Sequence, residues 1–290
     1  MTQGQRGVRG WVAVVRLLLL VALVAPALSV PVRAAGITYT VDSTSDVTDI
    51  AQSMTPTGGC AVGHAAGACT LREALLEANA AANPGTGNDH TINFNIPTTA
   101  SGYNATTGVF TITPIADPSL TAPVLVDGYS QPGASANTQA TSDNAVLKIE
   151  VSGAMDSSFS LALLILGTGA AGSTIRGLAI NRSGGYGIGG SGTTGPVTIA
   201  GNFIGLDPAG AAQANANIAV FIGNGATQAL LGGTTPANRN VVSGNTICAV
   251  SISGTNDATA NNTVQGNFLG LGPDGSTARD NANLEGACTG

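Results

Sequence analysis

A short apolar β run closed by glycine recurs along the C-terminal two thirds of this chain, and any fold has to accommodate it. The glycines are Gly128 (VLVDG), Gly153 (IEVSG), Gly177 (TIRG), Gly201 (TIAG), Gly223 (VFIG), Gly244 (VVSG) and Gly266 (TVQG), each between twenty-one and twenty-five positions after the last. Four of them precede asparagine, at Asn202, Asn224, Asn245 and Asn267. Gly and Asn accept left-handed backbone angles most readily, and a strand that turns a sharp corner needs them. A longer echo matches TIAGNFIGL at Thr198–Leu206 to TVQGNFLGL at Thr263–Leu271, which reads as three steps of about twenty-two. Strands repeating at this size without helices predict an all-β, right-handed parallel β-helix solenoid whose rungs stack at about 4.8 Å. A sandwich or jelly roll also has many short strands, but has no reason to repeat Gly-Asn at a steady step.

Composition agrees with strands and tight turns. Charged residues make up only 9% of the chain and glycine fills 41 positions, beside many short Val/Ile runs. Before the repeat, alternation predicts strands over residues 37–41, 91–96, 109–113, 124–126 and 146–151. One helix stands out. Thr70 and Glu73 form a capping box, Leu71, Ala74, Leu75, Ala78 and Ala82 share one face, and Asn83-Pro84-Gly85 ends the run. A solenoid has open ends that must be covered, and this apolar face is a natural N-terminal cap.

The first residues read as an export signal. Arg6, Arg9 and Arg16 precede the apolar run Leu17–Val30, and Val32 and Ala34 set small residues for cleavage before Ala35. The run is too short to span a bilayer comfortably, so no integral membrane segment is expected after cleavage; an uncleaved anchor is the alternative. The expected organisation is a signal at 1–34, a cap region at 35–100 and the β-helix at 101–290. The chain stops soon after a rung, which points to end-to-end self-association or a further C-terminal domain. Removing the signal takes four of ten basic residues and leaves six against sixteen acids. With Lys148 as the one lysine, the chain has no basic footprint for nucleic acid.

In an exported chain the four cysteines read first as disulfides. Cys60 and Cys69 would close a short loop, a staple of roughly 2 to 3 kcal/mol. Cys248 and Cys288 either pair across neighbouring turns or stay as buried thiols. The two histidines, His64 and His90, have no zinc spacing with cysteine pairs and no triad context, so no metal or cofactor is expected.

Residues 69–74 (CTLREA), continuing as LLEAN to Asn79, resemble the CSLREA motif that opens a class of bacterial exported proteins, with Thr70 where Ser is usual. Phrases such as GNFIGLDPAG and LLGGTTPANRNVVSGN resemble the right-handed parallel β-helix repeats that commonly follow it, so the resemblance spans about 37–290. It implies a surface or extracellular location with adhesin-like relatives, and supplies no catalytic residues.

Chemistry is sparse. Asp127 and Glu150, near one phase of the repeat, are the best candidate for the carboxylate pair that a glycoside hydrolase needs, although both also suit turn and outward strand positions. Arg176 and Arg182 could face one groove, although solvated or cap-bonding arginines explain them as well or better. Asp207 and Asp274 sit in repeated turns that suit either calcium or ordinary Asp/Pro/Gly geometry. Asp42, Asp46 and Asp49 read as a solvated acidic strip. The expected function is therefore non-enzymatic: a secreted or cell-surface protein with an adhesion, glycan-binding or structural role, presenting a β face to an extracellular glycan, a cell-surface molecule or its own neighbours. A carbohydrate-active β-helix enzyme is the alternative.

Overall fold

A computed structural model describes residues 36–46, 60, 69–81, 90–115, 118–153, 162–254 and 259–281. All belong to one compact unit, Arg33–Gly290. The proposed signal, Asp49, His64 and Cys288 lie outside the described residues.

The described chain is all-β apart from a single α-helix and two short 3-10 turns, and its strands gather into three sheets. The first sheet takes Thr38–Val41, His90–Phe94, Val124–Asp127, Thr174–Arg176, Thr194–Ala200, Thr227–Gly232 and Thr263–Gln265. The second takes Tyr103–Asn104, Val109–Ile112, Ile149–Ser152, Leu178–Asn181, Phe203–Ile204, Val241–Val242 and Phe268–Leu269. The third takes Ser119–Leu120, Ala162–Leu166, Tyr186–Ser191, Val220–Gly223 and Val250–Ser253. Every pairing between these strands is parallel except the hairpin of Tyr103–Asn104 with Val109–Ile112. From Thr174 onward the chain visits the first, second and third sheets in strict rotation.

Register replaces the steady step of about twenty-two with an uneven one. Partners in the first sheet run Thr91, Leu125, Thr174, Thr198, Leu230, Thr263. The advance is longest from Leu125 to Thr174 and shortest from Thr174 to Thr198. The echo that links Thr198 to Thr263 is thus two turns, through Leu230, and not three. The recurring glycines mark corners of different sheets: Gly201 and Gly266 follow first-sheet strands, Gly223 ends a third-sheet strand and Gly244 follows a second-sheet strand.

Strand alternation sends one column of each sheet inward. Ile92, Val126, Ile175, Ile199 and Leu231 stack from the first sheet, and Ile112, Val151, Ile180, Ile204 and Val242 from the second. Leu164, Ile188 and Val220 stack from the third, and all of these share one buried cluster. The first two columns end on Val264 and Leu269, which are 38% and 45% exposed, and the third on the half-buried Val250.

The helix is Leu71–Ala80, two residues shorter than the pattern predicts, with Ala81 already extended. Thr70 accepts from the Glu73 amide at 3.1 Å, the first half of the capping box. Leu71, Ala74, Leu75 and Ala78 join Tyr39 and Val41 in the core, so the apolar face packs on the first strand of the first sheet. Cys60–Cys69 is a disulfide beside it, and both cysteines are buried. Cys248 is also disulfide-bonded.

Three of the four Gly-Asn asparagines do not take the left-handed backbone that the sequence reading assigns them. Gly201, Gly244 and Gly266 do, at φ 68°, 72° and 71°, while only Asn224 among the four asparagines does, at 51°. The others enter buried ladders. In one, Asn202 Nδ2 donates to Asn240 Oδ1 (3.2 Å) and Asn240 Nδ2 to Asn267 Oδ1 (2.9 Å); in the other, Asn215 donates to Asn245 (2.9 Å) and Asn245 to Asn281 (2.8 Å). Each amide also bonds corner carbonyls, such as Ile175 O from Asn202 and Ile204 O from Asn245, satisfying groups that the strands leave unpaired.

The second sheet also carries an apolar column on its outer side. Ala179, Phe203, Val241 and Phe268 stack in register and cluster with Leu147, Tyr129 and Ala145. The excursion between Gly128 and Lys148 lies over them and is strapped down by Arg239. Its guanidinium donates to the carbonyls of Gln139 (3.0 Å), Ala140 (2.7 Å) and Ser142 (2.6 Å), and sits 4.2 Å from the Phe268 ring centre.

Candidate functional site

Where this outer apolar column ends, the same face turns polar. In register with Ala179 come Glu150 and then Thr111. Around them opens a groove of about 470 Å³, walled by the Tyr103–Ile112 hairpin, the approach strand at 145–150, the corner at Arg182 and the turn at 207–209. The volume suits a small ligand or a few sugar units. Lys148, Glu150, Arg182 and Asp207 bring both charge signs to it, and Asn104, Thr107 and Thr111 add neutral donors and acceptors.

Local geometry sets each group. The hairpin turn is held by Asn104 Oδ1, which accepts from the amides of Thr106 (3.0 Å) and Thr107 (3.3 Å). Gly108 follows at φ 66°, and a Cβ there would stand 3.0 Å from Lys148 Nζ, so glycine leaves the ammonium its place. Lys148 Nζ reaches Thr107 O at 3.5 Å, a long contact that lets the ammonium turn toward a ligand. The Arg182 side chain donates through Nε to Gln213 Oε1 at 3.0 Å.

Glu150 is 7% exposed, and both its oxygens are engaged. Oε2 accepts from the Thr111 hydroxyl at 2.7 Å and Oε1 from Asn181 Nδ2 at 2.8 Å. Asn181 Nδ2 also donates to Leu206 O at 3.0 Å, so the carboxylate is tied through Asn181 to the neighbouring turn. Asp207 caps that turn, its Oδ1 accepting from the amides of Ala209 and Ala211, both at 2.9 Å. Asp274 does the same for Ser276 (2.9 Å) and Thr277 (2.8 Å) in the second copy of the loop. The carboxylates of the repeated loops serve as turn caps, and no group of three metal-ligating side chains gathers among the described residues.

Of the candidate carboxylates Asp127 and Glu150, only Glu150 lines the groove. Asp127 stands on the first sheet and Glu150 on the second. Asp127 instead forms a two-pronged ion pair with Arg176, at 2.9 and 2.7 Å, and caps Tyr129 N. Arg176 and Arg182 part company for the same reason: Arg176 ends a first-sheet strand, while Arg182 follows a second-sheet strand and alone lines the groove. Nor do Asp42 and Asp46, the described members of the acidic strip, stand free in solvent. Asp46 is buried, paired with Arg72 at 2.6 Å and accepting Ile115 N at 2.7 Å, and Asp42 accepts Cys69 N at 3.1 Å. His90 is buried too, its Nδ1 accepting Ile37 N at 3.1 Å. Cys60, Cys69, Thr70, Glu73 and the Gly-Asn corners do not line the groove.

Sequence reasoning missed Lys148 as a site residue, though its solitude was a signal: the one lysine of the chain lies in this groove. No family model, curated protein or solved structure matches the chain.

Proposed function

We propose that the chain is an exported CSLREA-type protein, whose three sheets close into a right-handed parallel β-helix and which binds an extracellular glycan in the second-sheet groove without cleaving it. The rotation through three sheets around one core and the helix packed on the first strand support the architecture. The buried disulfide fits an oxidising, extracytoplasmic location. No helix among the described residues is long and apolar enough to cross a membrane. If the signal acts as read, the secreted protein begins at Ala35, which N-terminal sequencing would reveal.

The observation that carries the binding reading is Glu150. One donor on each oxygen, from Thr111 and Asn181, fixes this carboxylate as a recognition group, while Asp207, the other carboxylate lining the groove, caps its own turn and offers no evident catalytic partner. What the groove offers is recognition: a lysine and an arginine, a fixed carboxylate and a hydroxyl and amide rim. A glycan-array screen of the purified protein, with product analysis for every ligand found, tests this. Binding without turnover is expected, with Lys148→Ala roughly tenfold weaker or more, in line with losing a charge-assisted hydrogen bond. The enzyme reading keeps one observation in its favour, that Glu150 and Asp207 line the same groove. Cleavage of a bound polysaccharide, abolished in Glu150→Gln, would establish it instead.

A further inference from the structure

The outer side of the third sheet carries a second feature, separate from the groove. The strand Tyr186–Ser191 reads YGIGGS, and its Ile188 points into the core between Leu164 and Val220. On the outward side Gly189 falls in register between Ile165 and Phe221. With no side chain at Gly189, Tyr186 and Phe221 meet as stacked rings, centroids 4.9 Å apart and planes 18° apart. Glycine is required for this. A Cβ at Gly189 would stand 2.9 Å from Ala162 Cβ, and one at Gly223 would stand 2.3 Å from Phe221 Cζ. The rings therefore occupy space that the sheet has cleared for them.

Beside the stack runs an open trough of about 230 Å³, floored by Ala162, Ile165 and Gly190. At one end Asn224, exposed and held at φ 51°, donates its amide to Ser191 Oγ at 3.2 Å. No charged residue lines the trough among the described residues, in contrast to the groove with its lysine and arginine.

We infer that this trough binds a neutral pyranose unit of a glycan, its C–H face against the Tyr186–Phe221 stack and its hydroxyls toward Ser191 and Asn224. A pyranose presents an apolar C–H face and a hydroxyl edge, which matches a ring surface ending in a hydroxyl and an amide. An anionic sugar finds no cation in the described lining, and a bare aliphatic chain would leave the remaining donors and acceptors of Ser191 and Asn224 unmatched. The site stands on its own lining and does not require the groove to bind.

Saturation-transfer NMR of the full-length protein against neutral cello-, xylo-, manno- and chito-oligosaccharides tests it. At least one should receive saturation, strongest on the ring protons of one face. Tyr186→Ala should weaken its binding tenfold or more. Phe221→Leu, which keeps an apolar filler, and Asn224→Gly, which keeps the backbone angle, should each weaken it several-fold in a folded protein. Lys148→Ala should leave it unchanged. Absence of transfer from the folded wild type to all four probes would overturn the inference. So would equal transfer in the three trough variants, or loss in Lys148→Ala, which would place the sugar in the groove.

Discussion

Asn240 shows how much one side chain can hold. It is fully buried, and its amide nitrogen donates to Ile199 O at 2.8 Å and to Asn267 Oδ1 at 2.9 Å. Its oxygen accepts the Asn202 backbone N–H at 2.9 Å and the Asn202 side-chain amide at 3.2 Å. Asn240→Ala would orphan a buried donor and a buried acceptor, at about 1–3 kcal/mol each, so a loss of roughly 3 kcal/mol in urea unfolding is expected. Asn224→Ala, at an exposed corner where water can replace the lost bond, should cost less. The sequence flags Asn202, Asn245 and Asn267 beside their glycines but neither Asn240, Asn215 and Asn281 nor the ladders they complete. Adjacent members of a ladder are 38 and 27 residues apart in one case and 30 and 36 in the other, so only register reveals them as neighbours.

Carboxylates divide by environment. Burial pushes the Asp46 carboxyl up, against hydrogen bonds from Arg72 and Ile115 and the Arg72 charge; burial likewise raises Asp143, against the Ala145 amide and Arg239. A folded state that holds such a proton more tightly than the unfolded chain gains stability as pH falls through the window just above the ordinary carboxylate range, and loses it again as pH rises. Asp274 runs the other way. Hydrogen bonds from the Thr277 hydroxyl and from the Thr277 and Ser276 amides lower it to about 2, so its contribution is lost only as pH falls toward that value. In thermal melts, the midpoint of the wild type relative to Asp46→Asn should rise between pH 7 and pH 4. A constant difference would show that Asp46 does not titrate in that window.

At the scale of elements, two attachments carry separate loads. The Cys60–Cys69 link ties Cys60 to the residue just before the helix N-cap Thr70, and Cys60 N donates to Glu77 Oε1 at 2.8 Å. Replacing both cysteines by alanine should lower stability by roughly 2.5 kcal/mol, read as a shifted unfolding midpoint. The Arg239 strap is the second. Arg239→Lys keeps the charge but loses the planar fork that reaches three carbonyls, so the excursion at 137–145 should become the first site of limited proteolysis while the sheets stay folded. The helix was legible because its signal is local: cap, face and stop follow one another directly in the chain. The outer apolar column was not, because an alternating strand assigns one side to the core and the other to water, and here the second sheet buries both around Phe203 and Val241.

Across the molecule, each parallel strand is hydrogen-bonded only to its immediate neighbours in its own sheet, so stability passes along a sheet through neighbour pairings. Hydrogen exchange should be slowest at central amides such as Ile175 and Ile199, and fastest at Val264 and Leu269, where the inner columns end. The glycine corners were readable; the asparagines' role beside them and the spacing between strands of one sheet were not. Gly-Asn corners of three different sheets happen to fall about twenty-two positions apart, which imitates a single period. The groove was hidden for the same reason: Thr111, Glu150, Arg182 and Asp207 meet only once the unequal turns are known.

Those unequal turns have a practical side. The stretch from Leu125 to Thr174 is about twice as long as the next, from Thr174 to Thr198, yet each moves the first sheet on by a single strand. A length of chain equal to a whole short turn can therefore be added to a corner, or spared from it, without disturbing the strands on either side. Such a corner is a natural place to graft a foreign loop, and a lineage of such chains could change what it displays by rewriting corners while leaving its strands alone.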